Sequence, residues 1–419
     1  MTSVSGATVK GDTGKRGIPR QRASLPARRL KIAIATAGRF HVLDLARELH
    51  ALGHHVRFYS YVPRYRTRRF GLADECHVAL LPFVFPLVVW ERLVPRLLPA
   101  LRERLMYAVL NGAVILRLQP CDVLICMSGI YLEAARFAKR RFGATIWLHR
   151  GSRHILSQDE ILAATPGAER PSRLAIKREL AGYEVADRIV IPSKHVEESF
   201  LLDPRSHRKI FRNTYGVQLS MFSPQPKPNV TRFIIILYVG IWCLRKGSDV
   251  LAQSINQISD VRLIHVGSIG DCEFPLENAR FEHVDPVRQA ELVRFYGSAD
   301  IFVLPSREDG FGVVLSQALA SGLPVICTDR TGGPDLAYTP ALAERITVIP
   351  SGDVDALASA LTTWRDRLRA GEYPPPLGER DLEMLSWAAY ARRHSDELLR
   401  SVPQPNGHNP PARLRSRRR

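Results

Sequence analysis

The sequence contains few cysteines and no long apolar run. Its six cysteines, at positions 76, 121, 126, 243, 272 and 327, have neither zinc-site nor disulfide-framework spacing, so we expect reduced thiols. No stretch approaches the roughly 20 apolar residues that a membrane-spanning helix needs. The N-terminal segment also lacks the apolar core of a secretory signal. These absences predict a cytoplasmic protein.

Acidic residues are also scarce, because 41 Asp and Glu face 59 Lys and Arg, giving a net charge of +18. Residues 1–29 hold seven Lys and Arg against one Asp, and residues 401–419 hold five Arg and no acid. Both ends are rich in Pro, Gly, Ser and Arg, which predicts disordered basic arms. Such arms can bind nucleic acid or anionic lipid, or can stay solvated without a function. We expect no specific nucleic-acid partner, because the sequence has no recognition-helix, zinc or RNA-binding pattern.

The body of the chain alternates between strand and helix patterns, which is typical of a doubly wound α/β protein. A cluster of turn-forming residues at 215–228 predicts a linker between two Rossmann-like domains, at 30–222 and 230–378. Predicted strands lie at residues 30–35, 56–61, 122–127, 144–148 and 188–192, then at 233–240, 261–266, 281–283, 301–304, 324–327 and 346–349.

The most informative segment is a strand, a glycine-rich turn and a helix at residues 300–320. Gly310 and Gly312 lack Cβ atoms, so backbone N–H groups there can approach a ligand closely. The helix that follows offers free N–H groups and the positive end of its dipole to a phosphate. Asp309 can accept hydrogen bonds from hydroxyls. Phosphate and hydroxyl recognition in one turn predicts nucleotide-sugar binding, although an ordinary crossover can have the same pattern.

Together with S-G-L-P-V-I at 321–326 and T-G-G-P-D at 331–335, this segment resembles the donor-binding region of the family 4 glycosyltransferases. The resemblance covers about residues 30–400. It implies the GT-B fold, in which two Rossmann-like domains face a central cleft, and a last helix at 379–400 that packs back on the first domain. It also implies sugar transfer with retention of configuration, from a UDP- or GDP-sugar co-substrate, with no metal and no bound cofactor.

The same resemblance assigns the sugar and diphosphate to residues Asp309, Gly310, Phe311, Gly312, Val313 and Val314. The family usually has two glutamates eight positions apart, where this chain has Asp309 and Gln317. Gln317 can bind ribose hydroxyls but carries no charge. Glu308, next to Asp309, can share the acidic role.

A second match is the segment Y-V-G-I-W-C-L-R-K-G at 238–247, which resembles the first strand and turn of the family's nucleotide domain. Gly240 belongs to this turn, where an Arg and a Lys usually hold the donor diphosphate. Lys246 is retained, whereas Ile241 stands where the family often has Arg. Arg245 is the candidate for the missing charge. A solvated Lys-Arg pair at a helix start is the alternative.

The first domain supplies acceptor-side candidates in two turns. Gly38 is expected to let a donor or acceptor approach the backbone, with Arg39 beside it. Inverting GT-B enzymes place a base in a similar turn, which makes His41 a candidate base. His149 lies where several family members carry an acceptor-side His, and Arg150 can bind an acidic acceptor or a lipid phosphate. The alternatives are local packing for His41 and a satisfied polar position at a strand end for His149.

Residues 80–110 combine Leu and Val with interspersed Arg and are broken by four prolines. Short helices of this kind suit the surface of an anionic membrane, and a core helix or dimer face is the alternative.

We therefore predict a peripheral glycosyltransferase for cell-envelope polysaccharide, acting on a glycan or lipid-linked acceptor, with Asp309, Lys246 and His149 as catalytic candidates. The rivals are a weakened sugar-nucleotide or partner-binding protein, an inverting enzyme using His41, and a basic scaffold.

Overall fold

The structure is a computed structural model that describes residues 28–85, 99–165, 170–224 and 233–403. Most of the two predicted basic arms, at 1–29 and 401–419, lies outside the described residues. The same is true of residues 86–98 within the apolar segment and of residue 230, where the second domain was predicted to begin.

The described chain forms two parallel sheets, and the strands of each sheet are joined by helices. The first sheet has seven strands in the order β3-β2-β1-β4-β5-β6-β7, and the second has six in the order β10-β9-β8-β11-β12-β13. The strands of the first sheet are β1 Lys31–Thr36, β2 His55–Ser60, β3 His77–Ala79, β4 Val123–Met127, β5 Thr145–His149, β6 Arg188–Ile191 and β7 Ile210–Arg212. Those of the second are β8 Ile234–Val239, β9 Val261–Val266, β10 Phe281–Val284, β11 Ile301–Leu304, β12 Val325–Thr328 and β13 Ile346–Ile349.

The helices cover the sheets, and longer ones such as Phe40–Ala51 and Val354–Arg369 bury an apolar face. In the first half they are α1 Phe40–Ala51, α2 Arg64–Arg69, α3 Pro99–Arg117, α4 Leu132–Phe142, α5 Ile155–Ala163, α6 Arg173–Val185, α7 Lys194–Ser199 and α8 Pro204–His207. In the second half they are α9 Ser248–Asn256, α10 Gln289–Ser298, α11 Val313–Ala320, α12 Pro340–Ala343, α13 Val354–Arg369, α14 Glu379–Met384 and α15 Trp387–Ser401. Short 3₁₀ turns occur at Asp74–Cys76, Phe200–Leu202, Leu244–Lys246 and Pro334–Leu336.

The central strands are almost continuously apolar because helices cover both faces of each sheet. Ile34 in β1 and Leu237 in β8 have no exposed surface. The predicted fold class, an α/β protein with two doubly wound domains, is confirmed. Two strands, β3 and β7, were not predicted. Both strands lie at edges of the first sheet. Each has only three residues, and a segment of that length is too short to show the alternation by which a strand is recognised in a sequence.

The last helix, predicted as one element at 379–400, is in fact two helices. The chain forms α14 and α15 with a break at Leu385 and Ser386, where the Ser386 hydroxyl accepts a hydrogen bond from the N–H of Ala389 and so starts a new helix. At the break, the Leu385 carbonyl accepts from the N–H of Val217 at 2.8 Å. Helix α15 then lies against the first sheet's helices, where Ser395 bonds His54 at 2.9 Å.

The two domains meet at the carboxyl ends of their strands. The strand order of each sheet reverses at one point, between β1 and β4 and between β8 and β11, which is where doubly wound folds bind ligands. Hydrogen bonds cross the junction between these ends. The Ser193 hydroxyl donates to the Gly310 carbonyl at 2.7 Å, and the Lys194 N–H donates to the Asp335 carboxylate at 2.9 Å.

The apolar segment predicted at residues 80–110 is described only in part. Residues 81–85 are helical, and Pro99 of this segment is the first residue of helix α3. Phe83, Phe85 and Leu101 expose 40%, 58% and 54% of their surface, so this region presents apolar side chains outward. Within the described ranges, no helix combines the length and the apolar composition needed to cross a membrane.

Candidate active site

A cavity of about 350 Å³ lies at the junction of the two domains. Its wall consists of Gly151, Tyr215, Val239, Gly240, Ile241, Lys246, Leu304, Asp309, Phe311, Gly312, Val313 and Val314. Seven of these residues are among the eleven donor-binding candidates of the sequence, so β8 and β11 with their following turns bring most of that predicted set together.

Lys246 and Asp309 form an ion pair inside this cavity. The ammonium group of Lys246 donates to Oδ2 of Asp309, and each side chain keeps less than a fifth of its surface exposed. Burial by itself raises the pKa of Asp309, but the charge and hydrogen bond of Lys246, with the N–H of Phe311, outweigh it and hold this pKa below its ordinary value. Asp309 is therefore ionised at neutral pH and can accept hydrogen bonds from a ligand.

The guanidinium of Arg245 pairs with a different carboxylate, that of Glu308. Its Nη1 donates to both the carbonyl and the Oε2 of Glu308 at 3.1 Å. Its own carbonyl accepts from the N–H of Arg307 at 3.0 Å. These bonds fasten the Leu244–Lys246 turn to the segment before Asp309 and thereby aim Lys246 at the cavity. Arg245 and Glu308 neutralise each other here, and their predicted ligand roles stay predictions.

Glycine is required at two positions of the turn that follows β11. Gly312 has a φ of +78°, in the left-handed region, and an added Cβ would lie 2.5 Å from Cδ2 of Leu304. At Gly310, an added Cβ would lie 2.7 Å from the carbonyl carbon of Gly151 and closer still to its oxygen. The turn after β11 therefore touches the loop after β5 in the other domain, backbone against backbone.

Gln317 lies on the buried face of α11, three residues after Val314 of the cavity wall. Its Oε1 accepts a hydrogen bond from the hydroxyl of Tyr296 at 2.9 Å. The same hydroxyl lies 3.4 Å from the carbonyl of Val314, which lines the cavity. This contact fixes the orientation of the carboxamide, and the predicted ribose role of Gln317 stays a prediction.

Three histidines gather behind the cavity wall. His41 Nε2 lies 2.8 Å from Nδ1 of His149, and His149 packs on His394 with ring centroids 5.1 Å apart. The ring of His41 stacks on Tyr215, whose other neighbours include Phe311. Burial lowers the pKa of His41 and of His394 to about 3, so both rings are neutral at physiological pH. Tyr215 lies between His41 and Phe311 at the cavity wall, and the acceptor-side roles of His41 and His149 stay predictions.

Arg150 is engaged within the first domain. Its guanidinium donates to Glu179 Oε1 at 2.8 Å, to Gln158 Oε1 at 2.6 Å and to the Arg153 carbonyl. Burial opposes its charge, but Glu179 outweighs this effect and raises the pKa of Arg150. Arg150 thus orders the loop between β5 and α5. An acidic acceptor could reach it only by replacing these partners.

The turn after β1 touches the second domain. The guanidinium of Arg39 lies over the ring of Phe70, 3.6 Å from its centroid, and donates to Gln289 Oε1 at 2.9 Å. Gln289 is the first residue of α10. Gly38 receives support from Thr36, whose hydroxyl donates to the Gly38 carbonyl at 2.9 Å. Arg39 and Gly38 are not among the residues of the cavity wall, and their substrate contacts stay predictions.

Sequence reasoning missed Gly151 and Tyr215, which both line the cavity. Residue 215 lies in the predicted linker, and the sequence analysis gives Gly151 no role. No local pattern marks them, because they reach the site through the packing of the first domain against the second. No group of three or more His, Cys, Asp or Glu side chains in the described part of the chain is placed to hold a metal ion.

Two family models match this chain. The model described as "Glycosyl transferase 4-like domain" matches residues 36–212, and the one described as "Glycosyl transferases group 1" matches residues 234–366. The two matches coincide with the two sheets and include the turns around Lys246 and Asp309.

Curated relatives match over shorter stretches. Sulfoquinovosyl transferase SQD2 of Arabidopsis thaliana is 25% identical over 221 residues, which cover 52% of this chain and 41% of that protein. A GDP-mannose-dependent alpha-mannosyltransferase of Mycobacterium tuberculosis is 32% identical over 174 residues, 38% of this chain and 43% of that one. The chain therefore spans less than half the length of these relatives.

Solved structures match nearly the whole length. A sucrose-phosphate synthase from Thermosynechococcus elongatus superposes with a TM-score of 0.62 at 18% identity, covering 88% of this chain and 98% of that one. Anabaena HepE, solved in complex with UDP and glucose, superposes with a TM-score of 0.61 at 12% identity. The match covers 88% of this chain and 99% of that one. At these identities, the likeness shows a shared fold.

Proposed function

Since this chain belongs to the GT-B glycosyltransferases of family 4 type, we propose that it transfers a sugar from a nucleotide-sugar donor to a hydroxyl group of an acceptor. The observation that carries the proposal is the cavity between the domains, where a cation, a carboxylate, a glycine turn and a helix start converge. Relatives named for GDP-mannose and a neighbour solved with UDP and glucose support a UDP- or GDP-sugar as donor.

Lys246 is the proposed partner of the donor diphosphate. In this structure its charge is neutralised by Asp309. A diphosphate brings more negative charge than one carboxylate, so Lys246 would turn toward it while Asp309 becomes free to accept hydrogen bonds from sugar hydroxyls. Negative charge grows on the leaving diphosphate as the glycosidic bond breaks. A fixed cation at this place therefore stabilises the transition state more than the ground state.

The turn from Gly310 to Val314 is proposed to hold the rest of the donor. Gly312 caps α11 in the left-handed conformation and has no side chain to cover the first N–H groups of the helix. Those N–H groups lie at the positive end of the helix dipole and suit a phosphate. Phe311 is buried against Tyr215, with ring centroids 5.3 Å apart, which holds the turn against the first domain.

We propose that transfer proceeds with retention of the anomeric configuration, as the family resemblance implies. Asp309 is the carboxylate on the cavity wall, and its ion pair makes it a hydrogen-bond acceptor for the sugar rather than a free base. The leaving phosphate would then take the proton of the incoming hydroxyl on the same face of the sugar. The rival inverting mechanism requires His41 as a base, but burial lowers the pKa of His41 to about 3, which makes it a weak one.

The acceptor is proposed to be a glycan or a lipid-linked saccharide, bound by the protein in the cytoplasm at the inner face of the plasma membrane. The exposed rings of Phe83 and Phe85 support an interfacial contact. Flotation with anionic vesicles tests this part of the proposal. The double variant Phe83→Ser/Phe85→Ser should float less than wild type, and equal flotation would contradict the assignment.

A screen of donors followed by product analysis tests the main proposal. Thermal shifts measured with UDP-, GDP- and ADP-sugars should identify one donor that stabilises the protein. Donor turnover with that compound, by hydrolysis or transfer, distinguishes an enzyme from a sugar-nucleotide-binding protein. NMR of the product from an α-linked donor should show an α linkage. A β linkage would contradict retention, and the absence of stabilisation by every nucleotide-sugar would contradict the donor site itself.

A further inference from the structure

The turn after β8 brings one peptide unit to the cavity wall. Gly240 and Ile241 both line the cavity, and the peptide unit between them consists of the Gly240 carbonyl and the Ile241 N–H. In the described part of the chain, no protein group accepts a hydrogen bond from the Ile241 N–H. The direction in which this N–H points therefore decides whether a ligand in the cavity can use it.

His265 fixes the orientation of this peptide unit. It lies in β9, the neighbour of β8 in the second sheet, and its Nε2 is 2.9 Å from the Gly240 carbonyl oxygen. A carbonyl oxygen can only accept a hydrogen bond, so Nε2 must carry the proton. In a planar trans peptide the C=O and the N–H point in opposite directions. Because the Gly240 carbonyl points toward β9, the Ile241 N–H points away from β9.

The neighbouring N–H groups indicate the same direction. Those of Gly240 and Trp242 donate at 3.0 and 2.8 Å to carbonyls in β9 and just after it. Successive N–H groups of an extended chain in a parallel sheet face opposite neighbours, so the Ile241 N–H between them faces the side of β11. Leu304 at the end of β11 and Asp309 in the turn that follows are cavity wall residues. The Ile241 N–H therefore faces the cavity.

His283 in β10 fixes the tautomer of His265. Their Nδ1 atoms are 3.0 Å apart, and Nε2 of His283 is 3.6 Å from the exposed carboxylate of Asp285. Burial lowers the pKa of His265 to about 4, so its ring is neutral at physiological pH and has one proton, on Nε2. Nδ1 of His265 then accepts from the Nδ1–H of His283. Hydrogen bonds in such a chain polarise one another, which makes the Ile241 N–H a stronger donor.

This donor lies where the cavity has little positive charge. Ile241 stands where the family often has an Arg, and the guanidinium of Arg245 pairs with Glu308. Among the described residues of the cavity wall, Lys246 is the only cation, and it pairs with Asp309. A backbone N–H has only a partial charge, but one that is already fixed in direction needs no reorganisation when a ligand binds.

We propose that the Ile241 N–H, aimed by His265, donates a hydrogen bond to a phosphate oxygen of the donor diphosphate. The proposal rests on the proposed function, which assigns the diphosphate to Lys246 on the same cavity wall. His265 is then a positioning residue, because it acts on the ligand through the Gly240 peptide and does not itself line the cavity. A hydrogen bond to a charged oxygen is stronger than one to a neutral acceptor, so this N–H favours a diphosphate over its nucleoside.

Amide NMR of the full chain observes this N–H directly. Protein with isotopically labelled isoleucine nitrogens is titrated with inorganic pyrophosphate, UDP and GDP, and with uridine and guanosine. Ile241→Val keeps the N–H but removes its signal from the isoleucine spectrum, which assigns that signal. We expect the Ile241 amide proton to move downfield with pyrophosphate and with the nucleoside diphosphate that binds, and not with the nucleosides. An unmoved Ile241 signal in protein saturated with pyrophosphate or a nucleoside diphosphate would overturn the inference.

Calorimetry on two His265 variants tests the positioning role. His265→Leu removes the bond to Gly240, whereas His265→Gln keeps an N–H donor at about the place of Nε2. We expect His265→Leu to reduce the preference for a diphosphate over its nucleoside about tenfold, and His265→Gln to restore most of it.

His54→Leu is the matched control, because it removes another buried histidine, which bonds Leu30 and Ser395 and is not part of the cavity wall. It should lower the unfolding temperature without changing the preference for a diphosphate. An equal preference in His265→Leu and His54→Leu would contradict the role of His265. If His265→Leu fails to fold, the NMR titration of the wild-type protein still decides the inference.

The failure of this inference can be told from the failure of the proposed function. If UDP or GDP binds while the Ile241 signal stays in place and His265→Leu keeps its preference, the inference alone fails. If neither nucleotide binds, the proposed function fails, and the pyrophosphate titration of the free protein decides the inference. A downfield Ile241 signal would then support an oxyanion site, and no binding or an unmoved signal would overturn it.

Discussion

Substituting Gly310 with alanine tests whether the two domains meet at the turn after β11. The backbone of Gly310 has no positive φ, so alanine fits its conformation and only the contact changes. The new Cβ would lie 2.7 Å from the carbonyl carbon of Gly151 and 3.0 Å from the Cα of Ser152, whereas ordinary contacts begin at 3.4 Å. The two loops would have to separate by at least about 0.7 Å, and overpacking of this kind costs about 1–3 kcal/mol.

We expect two measurable consequences of Gly310→Ala. The unfolding temperature should fall by roughly 2–12 °C, because each kcal/mol of destabilisation lowers it by about 2–4 °C in domains of this size. Donor affinity should fall because the separated loops widen the cavity. Gly112→Ala is the control, since an added Cβ at Gly112, within α3, has no neighbour within 4 Å. Unchanged unfolding temperature and donor affinity in Gly310→Ala would refute the close contact between the domains.

Three further predictions concern residues around the cavity. The pKa of His394 is about 3 in the folded protein and about 6.5 in the unfolded chain, so the unfolded chain binds the proton more readily. The free energy of unfolding should therefore fall as the pH drops from 6.5 to 3, by up to about 1.4 kcal/mol per pH unit. His394→Phe should flatten the dependence of melting temperature on pH, and an unchanged slope would contradict this. Gln317→Glu should tighten nucleoside diphosphate binding about fivefold, because a charged acceptor strengthens a hydrogen bond by about 1 kcal/mol. It should not tighten binding of the 2′,3′-dideoxy analogue, which lacks the ribose hydroxyls. Equal gains for both compounds would refute the ribose contact. Ser193→Ala should destabilise the protein by about 1–2 kcal/mol in denaturant titration, because its hydroxyl both donates to the Gly310 carbonyl and caps α7 by accepting from the N–H of Val196, and no change would refute both roles.

Local patterns in the sequence marked the two turns that form much of the cavity wall. Gly310, Gly312 and Asp309 follow an apolar strand directly and precede a helix, so their chemistry could be inferred from neighbours along the chain. Lys246 stands in a similar strand and turn. These residues need only their own strand and turn to reach the cavity, which explains why sequence reasoning brought them together.

Other parts of the site depend on contacts between distant segments. Tyr215 reaches the cavity only because the first domain packs against Phe311, and no pattern around residue 215 indicates that contact. The enclosure of His41 and His149 depends on His394 in the last helix, which lies far away in sequence. The engagement of Arg150 depends similarly on Glu179 in α6.

The most direct test of the central claim compares nucleosides with nucleoside diphosphates in two variants. Lys246→Ala removes the proposed diphosphate partner but leaves Asp309 without its ion pair. Lys246→Ala/Asp309→Asn removes both charges. Calorimetry with uridine, UDP, guanosine and GDP should show a diphosphate advantage in the wild-type protein that is largely lost in both variants. Recovery of that advantage in the double variant would show that Lys246 only neutralises Asp309, and would contradict the diphosphate site.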